Sequence, residues 1–412
     1  MQTNFDVIII GGGASGMMAS IFAARNGNSV LVLDHNEKLG KKLFITGKGK
    51  CNLTNNSPIE NHLNNTITNS KFMYSALNSF SPQDTIDFFE DNGLKLRTER
   101  GNRVFPDSDK SSDVIKTLER TMQRYGVVVS LNQEVDKISH QSEQYTILCN
   151  NNIKYTCDSL IVATGGLSYQ GTGSTGFGYK IAKQFGHNII APTSALCPIL
   201  INEDISSLNG LSLRNIELSA KIGNKKFSEF GDLLFTFNSI TGPTALSMSS
   251  KINKLDINNQ KIYIDFKPAL SEEKLNEKFQ REFVEFAKKD FKTYLSTLLP
   301  SSFILFFMKK SKISNKKMSE ISKSERNLII TLLKKFDFTI KSLDNINVSI
   351  ITSGGVDIKQ INAKTCESKL QPNLYFIGEV LDVDALTGGY NLQIAWSTGY
   401  LAGNCIRKKN RG

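Results

Sequence analysis

The stretch Phe5–Gly16, FDVIIIGGGASG, decides the fold class of this chain. Its apolar first half is typical of a buried strand, and the spacing of apolar residues predicts a helix over Ala14–Asn26. Between strand and helix, Gly11, Gly13 and Gly16 form the pattern GxGxxG. The first glycine permits a tight turn, the second lets a pyrophosphate approach the backbone, and the third lets helix and strand pack closely. The stretch therefore predicts a dinucleotide-binding turn, with the positive end of a helix facing the phosphates.

An acidic residue supports this prediction. A second strand is predicted over Ser29–Leu33, and Asp34 follows it directly, 21 residues after Gly13. A carboxylate at this position can accept hydrogen bonds from both ribose hydroxyls and repels a 2′-phosphate, which disfavours NADP at this site. Because strand, glycines, helix and acid agree, a glycine turn with a purely structural role is the weaker interpretation.

A second GxGxxG match covers Gly171–Gly176, but its surroundings differ. Residues Gly165–Gln170 separate it from the preceding strand, and no strand-ending acid follows it. A tight loop is therefore the favoured interpretation, and a cradle of backbone NH groups for a phosphate is the alternative.

Two later strands favour FAD over NAD as the cofactor. The predicted strand Leu160–Thr164 runs into Gly165 and Gly166, where small residues let a sheet edge pass close to a bound cofactor. The apolar segment Leu374–Glu379 ends in an acid that can bind a ribityl chain, and the helix predicted over Leu392–Asn404 can point its positive end at the flavin N1 and O2.

The rest of the chain is predicted from its periodicity and composition. The predictions are a loop over Asn52–Asn69, helices near Pro82–Asn92 and Ser111–Tyr125, and strands over Val127–Val135, Tyr145–Cys149 and Ile153–Cys157. After Ala191, alternating segments predict an antiparallel β-rich insertion. Pro268 then opens a Lys- and Glu-rich stretch that is predicted to be helical to about Lys341. From Val348 the chain again has the pattern of strands, glycine turns and a helix.

Composition excludes several classes of protein. The chain is 40% hydrophobic and 22% charged, which is typical of globular proteins, and no apolar run approaches the roughly 20 residues that span a bilayer. The N-terminus carries Asp6 and lacks the features of a signal peptide, so we expect a cytoplasmic protein. The six cysteines show no spacing typical of zinc ligands, so no metal site is predicted. The four histidines, His35, His62, His140 and His187, are predicted to be surface or loop residues.

The formal net charge of +11 has two explanations. Abundant Lys, Asn and Ile together are typical of an AT-rich genome, and this compositional bias is the favoured explanation. The alternative is a surface that binds RNA phosphates. Its cations would be Lys309, Lys310, Lys312, Lys316 and Lys317, together with Arg407, Lys408, Lys409 and Arg411 of the tail.

Longer motifs identify a family resemblance. They are GKKL at Gly40–Leu43, TGKGKCNLTN at Thr46–Asn55, GNRVFPDSDK at Gly101–Lys110, Gly173–Tyr179, Thr352–Asp357 and GEVLDVDALTGGYNLQ at Gly378–Gln393. Over nearly its whole length the chain resembles the bacterial NAD(P)/FAD-dependent oxidoreductases called BaiN-like or aminoacetone-oxidase-like. The resemblance implies an α/β fold with a two-dinucleotide-type FAD-binding Rossmann domain formed by residues 1–190 and 346–412. A β-barrel-like domain (191–267) and a helical domain (268–345) are inserted between them.

Motifs and resemblance together give the candidate site. The candidate FAD-binding residues are Gly11, Gly13, Ala14, Ser15, Gly16, Asp34, Lys42, Thr46, Gly47, Cys51, Asn52, Val135, Thr164, Gly165, Gly166, Gly378, Glu379, Asp382, Asn391 and Leu392. Two catalytic candidates are Cys51, as a proton donor beside the flavin, and Arg103, as a holder of an anion or carbonyl. A buried small residue and a structural salt bridge are the respective alternatives.

The resemblance also implies a reaction. Relatives are said to reduce bile-acid-type enones or a ribosomal RNA uridine, and both substrates contain a C=C bond conjugated to a carbonyl. Hydride transfer from a reduced flavin suits that bond, with NADH or NADPH as a possible electron donor. Two alternatives stay open: an oxidase of small amines that produces peroxide, and an RNA-binding flavoprotein in which FAD is structural.

Overall fold

The structure is a computed structural model that describes residues 2–408; Lys409 and Arg411 of the basic tail lie outside this range. The chain forms two compact units. The first consists of the residues up to Thr193 together with those from Ile346 onward, and the second is Ser194–Asn345. No helix within residues 2–408 is both long enough and apolar enough to cross a membrane.

The helices and strands follow one another in this order. Up to Ala195 they are β1 (Asn4–Ile10), α1 (Ala14–Arg25), β2 (Val30–Leu33), α2 (Lys41–Ile45), β3 (Thr54–Asn55), α3 (Ile59–Asn65), β4 (Thr66–Thr68), α4 (Met73–Ser79), α5 (Pro82–Asp91), β5 (Leu96–Glu99), β6 (Arg103–Pro106), α6 (Ser111–Arg124), β7 (Val128–Ser130), β8 (Val135–Gln141), β9 (Gln144–Cys149), β10 (Lys154–Val162), α7 (Phe177–Gln184) and β11 (Ile189–Ala195). Next come β12 (Ile199–Ile201), β13 (Ser212–Ile222), β14 (Lys225–Phe235), β15 (Ser239–Thr241), α8 (Pro243–Ile252), β16 (Lys261–Asp265), α9 (Glu272–Glu285), α10 (Phe291–Leu295), α11 (Ser301–Ser311), α12 (Lys323–Lys334) and β17 (Phe336–Leu343). The last are β18 (Ile351–Val356), β19 (Leu374–Phe376), β20 (Asp384–Ala385) and α13 (Tyr390–Cys405).

The main sheet of the first unit is parallel around its centre. Strands β7, β2, β1, β10 and β19 lie side by side in this order and run in the same direction. The first half of β10 pairs antiparallel with β9, which pairs with β8. In this register Cys157 lies opposite Tyr145. The carboxyl ends of β2, β1, β10 and β19 therefore meet at one edge of the sheet, where open α/β sheets bind their ligands.

Helices α1 and α13 pack closely through two glycines of α13. A Cβ atom at Gly399 would lie 2.6 Å from the Ser15 carbonyl oxygen, and one at Gly403 would overlap the Ala19 carbonyl oxygen. Glycines four residues apart lie on the same side of a helix and let two backbones approach each other. The first and last helices of the chain therefore form one packed pair in the first unit.

The loop prediction for Asn52–Asn69 is wrong, because β3, α3 and β4 lie there. Residues rich in Asn, Thr and Ser have low intrinsic helix propensity, but partners far along the chain stabilise these elements. The Asn61 Nδ2 donates to the Tyr390 hydroxyl (3.0 Å), and β4 pairs with β20. Tertiary contacts thus override local composition here.

The second unit is a closed antiparallel barrel with helices. Its strands follow the order β12, β15, β14, β13, β16, β17, and the helices α9 to α12 come between β16 and β17 in the chain. The predicted Rossmann-type, barrel-like and helical regions are confirmed. The helical prediction to Lys341 is wrong from Phe336 on, where β17 closes the barrel with alternating buried side chains. The domain boundaries at 190, 267 and 345 stay predictions.

Two of the four histidines are buried. His62 lies in α3 and is 2% exposed, so its prediction as a surface or loop residue is wrong, whereas His187 lies in a loop but is also buried. The His62 Nε2 lies 2.8 Å from the Asn55 carbonyl oxygen, and the His187 Nε2 lies 2.8 Å from the Ser368 Oγ. Burial lowers the pKa of both imidazoles below 6.5.

We expect the protein to lose stability in mild acid. The unfolded chain takes up a proton at His62 near pH 6.5, whereas the folded chain does so only at lower pH. This histidine therefore stabilises the fold fully above about pH 6.5 and loses that contribution as the pH falls through its lower, folded-state pKa. Thermal unfolding curves recorded about every 0.5 pH unit, from about pH 7.5 to about pH 5, give the slope of stability against pH.

The variant for this experiment is His62→Gln, compared with the wild type. Glutamine can still donate to the Asn55 carbonyl but does not titrate, so His62→Gln should give a flatter profile. Equal slopes in the wild type and His62→Gln would contradict the role of this buried ring.

Candidate functional site

In the glycine turn after β1, two glycines are required by protein packing and a third faces open space. A Cβ atom at Gly11 would overlap the Ala163 carbonyl oxygen, and one at Gly16 would overlap the Gly11 carbonyl oxygen. At Gly13 a Cβ atom would meet no atom within 4 Å, and its φ of −80° suits any residue. Protein packing thus explains Gly11 and Gly16, whereas the space at Gly13 fits the close approach of a pyrophosphate.

Asp34 holds the turn and the end of β2 in place. Its Oδ2 accepts from the Gly12 amide (2.7 Å), and its Oδ1 accepts from the amide and side chain of Asn36 (2.8 and 2.9 Å). A carboxylate has about four lone-pair sites, so it can accept further hydrogen bonds from a ribose. The Gln133 amide donates to the Asp34 carbonyl oxygen (2.9 Å), which brings the chain leading to Val135 to the same edge.

The second GxGxxG segment forms a tight loop beside Asp34. Tyr169, Gly173 and Gly176 have positive φ values of 53°, 108° and 78°. A Cβ atom at Gly173 would overlap the Asn36 side chain, and the Asn36 Nδ2 lies 3.3 Å from the Thr172 carbonyl oxygen. These contacts support the tight-loop interpretation.

A network around Glu379 joins four segments at the sheet edge. Its Oε2 pairs with the Lys42 Nζ (2.6 Å), and its Oε1 accepts from the Ser168 Oγ (2.8 Å) and the Thr352 amide (2.9 Å). A Cβ atom at Gly166 would lie 2.5 Å from the Thr352 Oγ1, so only glycine fits there. The sequence prediction missed Ser168 and Thr352, although Thr352 opens one of the family motifs.

The start of α13 is fixed by backbone and amide contacts. The Asn391 side chain accepts from the Ala385 amide (2.9 Å) and donates to the Ala385 carbonyl (2.7 Å). Gly389 has a φ of 100°, and a Cβ atom there would overlap the Thr54 backbone. Asp382 is also held, because the Asn69 Nδ2 donates to its carboxylate (2.9 Å). The N-terminus of α13, with Leu392 in its first turn, therefore has a defined position and a positive end.

The segment Thr46–Asn52 contains several residues in left-handed conformations. Gly47, Lys48 and Cys51 have φ values of 58°, 57° and 60°, and the Cys51 amide donates to the Thr46 carbonyl (3.0 Å). Cys51 is fully buried, and burial raises the pKa of its thiol to about 12. Non-glycine residues in this conformation are strained and cluster at functional sites. Because its pKa is raised, the Cys51 thiol stays protonated at neutral pH.

Two buried polar atoms test whether a cofactor fits this edge. Within residues 2–408, the Asn52 Oδ1 and the Thr164 Oγ1 are buried without a hydrogen-bond partner. Such atoms are costly to leave unpaired, so they fit a polar ligand. Together with the space at Gly13, they fit an extended dinucleotide that passes β1 and β10.

Arg103 is exposed, in contrast to Cys51. Its Nε donates to the Arg100 carbonyl (3.1 Å), and its guanidinium lies 3.9 Å from the Glu99 carboxylate. The structure thus places the two catalytic candidates in different environments. No group of three His, Cys, Asp or Glu residues that could hold a metal ion occurs in the described part of the chain.

The Rossmann-type sheet, its glycine turn and the acids that follow β2 and β19 define a protein that binds a dinucleotide cofactor. This chain belongs to the HI0933-like family, because the family model described as HI0933-like protein Rossmann domain matches residues 5–405. It is an FAD-dependent oxidoreductase. The predicted family resemblance, enzyme class and FAD cofactor are confirmed.

Three relatives cover almost the whole chain. Two are named ribosomal RNA dihydrouridine synthase: the Haemophilus influenzae protein is 33% identical over 98% of both chains, and the Escherichia coli protein is 30% identical over 96% of both. The third, the 3-dehydro-bile acid delta(4,6)-reductase of Clostridium scindens, is 28% identical over 97% of this chain and 98% of that protein.

Solved structures share the fold at low sequence identity. The 3-ketosteroid-delta4-(5alpha)-dehydrogenase of Rhodococcus jostii RHA1 gives a TM-score of 0.54 at 14% identity, covering 99% of this chain and 98% of that one. The 3-ketosteroid delta1-dehydrogenase of Sterolibacterium denitrificans gives 0.52 at 12% identity, covering 98% and 99%. These similarities concern the fold alone.

Proposed function

We propose that this protein is a reductase that adds two hydrogens to a C=C bond conjugated to a carbonyl, and that its substrate is a uridine of ribosomal RNA. The observation that carries the proposal is full-length similarity to two proteins named ribosomal RNA dihydrouridine synthase, at 33% and 30% identity. A small bile-acid-type enone is the second candidate, favoured by the relative at 28% identity. Both substrates need the same chemistry.

The residues at the sheet edge fit FAD in an extended conformation. Gly13 and the first turn of α1, Ala14 and Ser15, would hold the pyrophosphate, and Asp34 the adenosine ribose. The remaining candidates, Lys42, Thr46, Gly47, Cys51, Asn52, Val135, Thr164, Gly165, Gly166, Gly378, Glu379, Asp382, Asn391 and Leu392, would line the cofactor from adenine to flavin ring. When bound, FAD supplies the hydride chemistry of its N5 position.

Groups of the protein would then stabilise charge on the bound flavin and deliver a proton to the substrate. The N-terminus of α13 carries a positive potential that would stabilise negative charge on a flavin ring bound beside it. Reduction of a conjugated C=C bond also needs a proton at the second carbon, and the neutral Cys51 thiol is a candidate donor. Arg103, which is exposed, is a candidate for holding a carbonyl or phosphate of the substrate. We propose NADH or NADPH as the electron donor.

The basic run of the second unit does not favour RNA binding there. Three of its five lysines pair with carboxylates: Lys310 with Asp337 (2.8 Å), Lys316 with Glu325 (2.8 Å) and Lys317 with Asp290 (3.0 Å). Lysines that are paired with acids release fewer counterions from RNA. The proposal therefore does not depend on this run.

Unmodified ribosomal RNA is the substrate that tests the proposal. We expect anaerobic NADH or NADPH to bleach the flavin band, and we expect the reduced protein to convert uridine to dihydrouridine, which mass spectrometry detects as a gain of two hydrogens. A protein without FAD is the control. Reduction of an enone with unchanged RNA would favour the second candidate.

Two other outcomes would contradict the reductase. Rapid return of the flavin band in air with stoichiometric peroxide would indicate an oxidase. RNA binding without any electron exchange between the flavin and a substrate would indicate a structural FAD.

A further inference from the structure

The hairpin formed by β5 and β6 presents a basic tip. Glu99 pairs with Arg103 across the hairpin, so the tip is the three residues Arg100, Gly101 and Asn102. Gly101 and Asn102 have positive φ values of 78° and 59°, which close this short turn. The tip and Arg103 are exposed. One arginine, Arg100, therefore lies in the tip, and a second, Arg103, follows the tip directly.

A buried amide ties this tip to the start of α13. Asn55, which is 2% exposed, donates through its Nδ2 to the Gly101 carbonyl (3.0 Å) and to the Gly388 carbonyl (3.1 Å). The Asn56 amide donates to the Asn102 carbonyl (2.7 Å). A single side chain thus spans the distance between the hairpin tip and the turn that precedes α13. The tip is adjacent to the place proposed for the flavin ring.

The loop that carries Lys48 packs on the same hairpin. A Cβ atom at Gly47 would lie 3.7 Å from the Phe105 ring in β6. Lys50 pairs with Asp109 (2.9 Å), and Asp109 also pairs with Arg97 of β5. Lys48 and Lys110 flank these contacts in the sequence and are exposed. The Lys50–Asp109 ion pair and the approach of Gly47 to Phe105 therefore hold this loop against the hairpin.

The acids of this surface bind only some of its cations. Glu99 and Asp109 pair with Arg97 and Lys50, and Glu99 lies at 3.9 Å from Arg103. Within residues 2–408, no acid pairs with the three exposed side chains Arg100, Lys48 and Lys110. Unpaired cations grouped beside a site attract a polyanion and hold it by charge-assisted hydrogen bonds.

We propose that this surface, consisting of Arg100, Arg103, Lys48 and Lys110, binds the phosphate backbone of the RNA next to the target uridine. The inference rests on the proposed function and assigns the part of the site that selects a polynucleotide over a small molecule. Guanidinium groups bind phosphate with two parallel hydrogen bonds, and a base can turn out of a single strand while its neighbouring phosphates are held. Arg100 is a binding residue and not a catalytic one.

Charge reversal at Arg100 tests the inference. The variant Arg100→Glu should raise the KM for unmodified ribosomal RNA about tenfold or more. Its FAD content and its rate of flavin reduction by NADH or NADPH should equal those of the wild type. The slope of log affinity against log salt should fall by about 0.7 for each lost phosphate contact with a single strand. Arg100→Lys should restore part of the affinity, because lysine keeps the charge but cannot form the two parallel hydrogen bonds of a guanidinium.

Two further variants make the comparison specific. Arg100→Glu combined with Lys110→Glu should weaken RNA binding more than either alone, whereas Lys137→Glu, an equal charge reversal on the exposed side of β8, should leave it unchanged. The inference is overturned when the wild type reduces RNA and Arg100→Glu has the same KM.

Failure of the proposed function gives a different result. If the proposed function is wrong, the wild type reduces no uridine in any RNA. Direct measurement of the Kd for the same RNA by filter binding still tests the surface, because it needs no turnover. An equal Kd for the wild type and the double variant overturns the inference, and a Kd raised tenfold or more supports a phosphate-binding surface without the reductase.

Discussion

The variant Gly13→Val should fold normally and purify without FAD. Its φ of −80° suits valine, and a Cβ atom would meet no protein atom within 4 Å, so the substitution costs the fold little. The added side chain would instead occupy the space where a pyrophosphate approaches the backbone. We expect FAD affinity to fall about 100-fold or more, equal to roughly 3 kcal/mol. Flavin absorbance per protein and the thermal midpoint of the FAD-free protein measure the two effects separately.

The second GxGxxG segment supplies the matched control. Gly171 also has open space at its Cβ position and no positive φ, but it belongs to the loop interpreted as structural. Gly171→Val should therefore keep wild-type FAD content. Normal FAD content in Gly13→Val would contradict the pyrophosphate position, and FAD loss in Gly171→Val would assign phosphate binding to the second loop.

Replacing Trp396 with alanine should destabilise the first unit by about 3–5 kcal/mol. This indole is fully buried in α13, and its Nε1 donates to the Leu53 carbonyl (2.9 Å). Its ring also packs edge-on against Phe89, with centroids 5.5 Å apart. Truncation leaves a cavity between α13 and the segment that leads into β3, together with an unpaired carbonyl. Urea unfolding, followed by circular dichroism and by FAD release, measures the loss.

Trp396→Phe is the conservative comparison. It keeps an aromatic ring and loses the indole NH, so we expect a smaller loss of roughly 1–3 kcal/mol, the cost of an unpaired buried carbonyl. Equal stability of Trp396→Ala and the wild type would show that α13 is not held by this side chain. Trp396 is the chain's one tryptophan, so its fluorescence also reports unfolding of the wild type.

Local signals were sufficient to predict the core of the first unit. Apolar runs such as Val7–Ile10, together with the spacing of Gly11, Gly13 and Gly16, correctly predicted β1, the turn and α1. These features depend on neighbouring residues, because a strand, a glycine turn and a helix each have a short-range pattern. The short strand β19 and the helix α13 were predicted for the same reason.

Elements that depend on distant partners were not predictable in this way. The helix α3 and strand β4 lie in a polar segment and owe their order to Tyr390 and β20, more than 300 residues away. The barrel strand β17 also went unpredicted, since its partners β12 and β16 lie far along the chain. The hairpin of β5 and β6 is local, but its first strand, LRTE, lacks the apolar alternation that indicates a strand. In the candidate site, Ser168 and Thr352 escaped notice because their common partner, Glu379, is remote in sequence.

The packed pair of α1 and α13 has a consequence for synthesis of the protein. A ribosome finishes α1 after 25 residues but makes β19 and α13 only after it has made the whole barrel unit. Until then, the nascent sheet lacks its β19 edge, and the small-residue surface of α1 that receives Gly399 and Gly403 stays uncovered. The barrel unit, in contrast, is complete as soon as its own residues emerge. If FAD binds at the proposed place, its site is complete only after translation has reached α13.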